Sequence, residues 1–416
     1  MSRRFTVGAA ERVNTVAAGN QDWPGVTTLA DGGCVVTWQS EPYLGAGLRI
    51  YAQRYDAAGT RVGVEPPVSA TAQGSQTLPS TAALSDGGYI VAWKRSGQGS
   101  QDSGIYTPRF DAGGAKVGAE AWVDATQSAE SYRVVKMLAD GGYSVAWIAG
   151  GRHSDSSIIL MQRNDAAGSR AGRQAGVEVE YVHARIGLRD GGFIAVHEAS
   201  RPDDSSCQRT ELRAQRYDDA GRKVGQDILL YDNPYGASAR ASISEFDGGG
   251  YAIAWEKYSS SDYDLNEYGV YTQRFDATGN PVGAETRLAA SALGSEQNPT
   301  VTALSDGAYV VLRSDVPSSG WPRAGLYAQR FDAAGRKDGE AVLIAATDED
   351  GPQYWISRTV SATPDGGYVV TWQKSGTDPD ILITPRSNSM ILPHFLRRID
   401  IRFVVENALC LMIKDS

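Results

Sequence analysis

An Asp-Gly pair recurs seven times in this 416-residue chain, beginning at Asp31, Asp86, Asp140, Asp190, Asp247, Asp306 and Asp365, so successive copies lie 50 to 59 residues apart. A period of that length restricts a chain to folds made by repeating one small supersecondary unit. After each pair comes an aromatic residue (Cys34 in the first copy) and then apolar alternation, as in Tyr89-Ile90-Val91-Ala92-Trp93. Asp-Gly supplies the positive φ angles of a tight hairpin, and a period of two is that of a strand. A second signature follows about 15 residues later: Gln53-Arg54-Tyr55-Asp56, Pro108-Arg109-Phe110-Asp111, Gln162-Arg163-Asn164-Asp165, Gln215-Arg216-Tyr217-Asp218, Gln273-Arg274-Phe275-Asp276 and Gln329-Arg330-Phe331-Asp332.

Each copy therefore reads as four strands. In the second, residues 80–84 enter the turn, 89–93 return, 104–110 form a third strand and 116–123 a fourth after Asp111-Ala112-Gly113-Gly114. Seven four-stranded antiparallel units predict an all-β fold, a seven-bladed propeller, because radial packing buries both faces of each sheet and leaves only short edges. The first strands, such as Thr81-Ala82-Ala83-Leu84, are rich in small residues and suit the crowded axis. No stretch sustains a 3.6-residue period, so helices should be absent or minor. The seventh copy stops after Ile383-Thr384-Pro385-Arg386, while Val7-Gly8-Ala9-Ala10-Glu11 resembles the fourth-strand pattern Val117-Gly118-Ala119-Glu120. Residues 5–14 are thus expected to supply the missing outer strand and close the ring. The propeller is assigned to residues 1–386, and 387–416 form a non-repeat tail that fits no blade.

Composition narrows the partners. Lys plus Arg is 40 against 49 Asp plus Glu, a net charge of −9, which argues against nucleic acid or an anionic membrane. No apolar run approaches the roughly 18 residues of a membrane span. Gly, at 47 residues, exceeds the usual share and fits many tight turns. Cys34, Cys207 and Cys410 are too few and too scattered for a disulfide framework or metal cluster. Two N-terminal arginines precede no apolar stretch, so no secretory signal is read.

The strings Asp-Gly-Gly-Tyr-Val-Val-Thr-Trp at 365–372 and Tyr-Ala-Gln-Arg-Phe-Asp-Ala-Ala-Gly at 327–335 resemble repeats of large secreted or surface-attached bacterial proteins, where they sit beside RTX calcium-binding and adhesin-like modules. The resemblance covers residues 5–386. It implies an extracellular or cell-surface location and a binding or structural role, although the chain lacks the glycine-rich calcium nonapeptides and a cytoplasmic location stays open.

Seven residues after each turn Asp (eight in the fifth copy, with its extra Gly250) stand Trp38, Trp93, Trp147, His197, Trp255, Arg313 and Trp372. They could form a ring of platforms for sugar rings, but the preferred reading is that each Trp fills the gap between blades. The arginines of the second signature, Arg54 to Arg386, are read as structural partners of the turn carboxylates. Asp262, Asp264 and Asn266 alternate in a loop as calcium ligands can, without the Gly and Glu of an EF-hand. Asp203-Asp204 and Asp378-Pro379-Asp380 are weaker versions. None of the four histidines has a metal spacing, there is no Gly-x-Ser-x-Gly elbow, and no catalytic residue is assigned. Ser85-Asp86-Gly87-Gly88 fails the spacing of a sialidase Asp-box.

The expected function is a non-catalytic, monomeric binding or spacer module, with glycans or surface proteins as partners and calcium as the cofactor to consider. The alternative is a propeller-type carbohydrate hydrolase or lyase, its site at the channel mouth where copies four, five and six depart from the pattern at His197, residues 259–267 and Arg313.

Overall fold

The computed structural model describes residues 5–7, 11–15, 21–41, 47–65, 67–69, 74–97, 103–124, 131–150, 156–200, 210–233, 240–259, 267–289, 294–317, 325–346, 358–373, 381–383 and 410–415. Across these residues the fold is all-β, and it contains no helix long and apolar enough to cross a membrane. It is a propeller of six four-stranded antiparallel blades, not the seven expected. The blades follow the repeat: in the second, Ser75–Ala83, Tyr89–Ser96, Gly104–Phe110 and Lys116–Asp124 pair in chain order.

The seventh copy departs because its sequence carries only the first hairpin in full. Arg358–Ala362 and Tyr368–Gln373 pair as in the blades, but they belong to a six-stranded sheet. Along the second of these strands, Trp372 and Gln373 pair with Ile381–Ile383, whereas Tyr368 to Thr371 pair with the chain end, Cys410–Asp415. Outside them run Glu11–Arg12, against Ile381–Ile383, and Phe5–Val7, against Cys410–Asp415. Two short pieces thus take the place of one third strand, and two more that of a fourth.

The two signatures are partners within a blade. In four blades the aromatic of the first stacks on the aromatic of the second: Tyr89 on Phe110, Phe193 on Tyr217, Tyr251 on Phe275 and Tyr309 on Phe331, with ring centroids 4.8 to 5.2 Å apart. Burial of these rings pushes the phenols of Tyr89, Tyr251 and Tyr309 up to about 12. The turn Asp accepts a backbone N–H two residues on and also an arginine: Asp31 pairs with Arg54, Asp86 with Arg109, Asp140 with Arg163, Asp190 with Arg216 and Asp306 with Arg330. Arginines of this signature also reach the next blade, Arg109 to the Ala166 carbonyl, Arg216 to Ala277 and Arg274 to Ala333. The doubled glycine has two jobs. Gly87 sits at φ +85°, and a Cβ on Gly88 would lie 2.3 Å from the Phe110 carbonyl oxygen.

Neighbouring first strands touch in a closed circuit around the axis, with Arg358–Ala362 between those of blades six and one. Their small residues serve as bridges as well as spacers. Ser80 Oγ accepts Val135 N–H at 3.1 Å, Ser244 Oγ accepts Ala303 N–H at 2.9 Å, and Thr359 Oγ1 accepts Val26 N–H at 3.0 Å. Each hydroxyl thereby satisfies a backbone donor of the adjacent sheet, which a purely apolar small residue would leave unpaired.

Candidate functional site

Each second strand leaves the Asp-Gly turn, passes the Trp position and ends at the opposite side of the blade. Trp38, Trp93, Trp147, Trp255 and Trp372 are all 0 to 1% exposed there. They pack between sheets: Trp93 lies with Ile50 and Val68 of blade one, and Trp255 with Leu212 and Leu230 of blade four. None of these indoles offers a face to a ligand in this structure, and the reason is that flat packing of adjacent sheets needs a large filler at each gap. Asp262, Asp264 and Asn266 lie outside the described residues, as do residues 201–209 and 318–324. Among the described residues no three metal-ligating side chains converge.

The residue after the Trp position points the chemistry elsewhere. In three sheets it is a polar clamp on the next sheet's first strand. Gln39 Oε1 accepts Leu78 N–H at 2.9 Å, Gln373 Nε2 donates to Asp22 Oδ1 at 2.6 Å, and Glu256 Oε1 accepts Asn298 N–H at 2.5 Å. The strands they grip are bulged, and Trp23, Leu78 and Asn298, each just before a proline, hold φ angles of 56 to 58°. Positive φ in a non-glycine residue is strained and persists only when its surroundings enforce it. The clamps are that enforcement for Leu78 and Asn298.

Glu256 is the clamp that carries a charge. It is 4% exposed, its Oε2 accepts Arg240 N–H at 3.3 Å, and burial pushes its carboxyl above the usual range, partly opposed by the Asn298 and Arg240 amides and by the charges of Arg240 and Arg358. Arg358 is also buried. It donates to Ser314 Oγ, the Asn298 carbonyl and, at 3.2 Å, the Gln297 carbonyl, and desolvation brings it down to about 9 against the pull of Glu256. Beside them Tyr268 and Tyr258 meet at a ring separation of 5.2 Å, and burial raises the Tyr268 phenol, with Glu256 and Tyr258 adding to the effect. A carboxyl that holds its proton longer than usual, two arginines and a tyrosine pair therefore gather at one end of the channel, between blades five and six and the six-stranded sheet.

Blades six and four extend this polar arc. Arg313 is 4% exposed and replaces the indole directly: its guanidinium lies 5.0 Å over Tyr327, as Trp38 stacks on Tyr51 and Trp93 on Tyr106. Its charge is met by Asp315 at 2.7 Å and by Glu296 at 3.2 Å, a carboxyl raised by burial that also accepts Val270 N–H. In blade four His183 Nε2 pairs with Glu198 at 2.8 Å, and His197 Nδ1 lies 3.0 Å from the Glu198 carbonyl oxygen. Of the residues singled out in the sequence, His197 and Arg313 thus flank this arc while the tryptophans form its floor between the sheets.

Sequence reasoning missed Glu256, Arg240, Arg358 and Glu296. The signal was present as departures at single positions. Glu256 stands where other copies have Gln39 and Gln373, and Arg358 precedes its turn Asp by seven residues, the place of Pro24, Pro79 and Pro299. Arg240 stands just before its first strand, five residues ahead of that strand's last residue Glu245, the place of Trp23, Leu78 and Asn298 in theirs.

Comparison with family models finds no match, and comparison with curated proteins finds none either. Solved structures do match. The β-propeller domain of the Trilobed protease from Pyrococcus furiosus, described as having an open velcro topology, is 11% identical with a TM-score of 0.52, over 89% of this chain and 94% of that one. The polysaccharide lyase Uly1 is 12% identical with a TM-score of 0.52, over 90% of this chain and 91% of that one. At these identities the likeness is one of fold.

Proposed function

We propose that the protein is a carbohydrate-active propeller that cleaves a polysaccharide, with Glu256 as proton donor at the channel mouth. The observation that carries this is the raised carboxyl of Glu256 beside Arg240, Arg358 and Tyr268. Cleaving a glycosidic bond requires protonation of a poor leaving group, and a buried carboxyl with an elevated pKa is the side chain suited to give that proton. Arg240, exposed at the same mouth, supplies a cation for an acidic sugar, and the tyrosines supply rings and hydroxyls. One similar structure is a polysaccharide lyase, so the fold is compatible with glycan cleavage. The six-stranded sheet acts in this reading as the closing sector of a seven-part ring, supported by Glu11–Arg12 at its edge. The resemblance of the repeats supports a secreted or surface-attached setting.

The test is product release from a panel of neutral and acidic polysaccharides, by reducing ends and by the ultraviolet absorbance of unsaturated sugars. Glu256→Gln is the deciding variant, because glutamine already clamps the equivalent backbone in Gln39 and keeps the acceptor for Asn298 N–H. A fall in kcat of about 10²- to 10⁴-fold with the fold retained is expected. Binding without turnover by the unaltered protein would return it to the non-catalytic module.

A further inference from the structure

Blade three breaks the repeat at the outer corner of its turn end. In four blades the fourth strand opens on Val-Gly with a carboxylate two residues after the glycine, Val62 to Glu65, Val117 to Glu120, Val224 to Asp227 and Val282 to Glu285, and blade six has Asp338-Gly339-Glu340. Blade three has Ala171-Gly172-Arg173-Gln174: a smaller residue, no carboxylate and an added cation. Across the gap, blade four carries Asp219 where the other five blades have Ala57, Ala112, Ala166, Ala277 and Ala333. These departures meet in one groove of about 490 Å³, lined by Arg163, Ala171, Arg173, Gln174 and Asp219 among others. Alanine fills less space than valine, and close-packed sheets do not collapse to absorb the difference.

The polar groups of the groove are open to a ligand. Arg109, Arg216 and Arg274 direct Nη1 to a turn carbonyl of the next blade, whereas Arg163 gives Nη2 to Asp140 and makes no hydrogen bond through Nη1 among the described residues. Gly191 leaves the space where the two blades face each other: a Cβ on it would lie 3.6 Å from both Arg163 Nη1 and Asp219 Cβ. Arg173, Gln174 and Asp219 are exposed, with no side-chain hydrogen bond or ion pair among the described residues. Guanidinium N–H groups match a carboxylate, while the Asp219 carboxylate only accepts and so suits hydroxyl donors. Its charge also opposes a dianion beside the arginines. One negative charge with hydroxyls next to it is the pattern of a sugar acid, and the groove has the size of a small-ligand site.

We propose that this groove binds one hexuronate unit, its carboxylate on Arg163 Nη1 and Arg173 and its hydroxyls on Asp219 and Gln174. The site lies at the opposite end of the blades from Glu256 and does not depend on glycan cleavage.

The test follows binding of glucuronate, glucose, alanine and inorganic phosphate to the full chain by ligand-observed NMR. Glucuronate is expected to bind about tenfold or more tightly than glucose at pH 7, the effect of one charge-assisted pair. Arg173→Gln should weaken glucuronate about tenfold with the melting temperature unchanged. Asp219→Ala restores the residue of the other five blades and should weaken glucuronate while leaving phosphate unchanged or tighter. Ala171→Val restores the residue of four other blades, fills the groove and should abolish glucuronate binding. Binding that survives Ala171→Val and Arg173→Gln, or glucose bound as tightly as glucuronate, would overturn the proposal. So would alanine or phosphate bound more tightly than glucuronate, which would make the groove an amino-acid or plain anion site, or no saturable response up to about 10 mM, beyond the millimolar range of a weak specific ligand.

Discussion

The two ends of a blade's second strand obey different rules. At the Asp-Gly end, five blades repeat one ion pair between the turn Asp and the second-signature Arg. At the Trp end the residue after the Trp position changes from copy to copy: Gln39, Lys94, Ile148, Glu198, Glu256, Ser314 and Gln373. The carboxyls at the two ends are also displaced in opposite directions. Asp140 is held below its ordinary value by hydrogen bonds from Arg163 and the Gly142 amide, and Asp276 is brought down to about 2 by Thr278 and Asn280. Glu256, Glu296 and Asp22 are raised, all three by burial. One end uses its carboxyls in local turn geometry in water, and the other buries them, which disfavours their charged form. The difference separates what each copy needs in order to fold from what the assembled ring presents.

The largest effect that could break this division is at the floor between the ends. Trp93→Ala should cost about 3–5 kcal/mol, because the indole is fully buried against blade one and the flat sheets leave a cavity behind it. Chemical denaturation measures this. A cost below about 1 kcal/mol would mean that the gap relaxes and that Trp93 is not a filler.

A smaller effect tests the uniform end against itself. Arg330 is 3% exposed and paired with Asp306 and Asp338, whereas Arg163 is 34% exposed. Arg330→Ala should cost about 3 kcal/mol and Arg163→Ala under about 1, since solvent screens the second pair and removal of the first strands two half-buried carboxylates. Equal costs would show that the pairs act through the turn alone.

Much of this division was legible in the sequence. The signatures that meet, Asp86 with Arg109 and Tyr89 with Phe110, could be read because each is a local pattern repeated in register. The order of the four strands followed from the same repetition. The six-stranded sheet was not legible: residues 410–415 share no pattern with a third strand, and their pairing with Tyr368 to Thr371 uses backbone groups that any sequence carries. Nor was the Glu256 arc, since Glu256, Arg240 and Arg358 come from different strands and only their spatial meeting gives them a shared chemistry. Burial decided the tryptophans, and alternation along a strand shows which face a residue takes without showing how tightly that face is covered.

The smallest effect is the pH dependence, where the two ends should pull in opposite directions. For Asp276, with a folded pKa below the unfolded value, the stabilisation is complete above about pH 4 and is lost as the pH falls toward 2. For Glu256 the sign reverses. Its folded pKa lies above the ordinary carboxyl value, so its favourable contribution is complete below about pH 4.5 and is lost as the pH rises through the raised value, where the buried carboxylate must ionise. Thermal melts across pH 2 to 8 should therefore show Asp276→Asn flattening the acid limb alone and Glu256→Gln flattening the limb above it. If both variants altered the same limb, the buried end would be behaving as a solvated one, and the proposal that Glu256 donates a proton would lose its support.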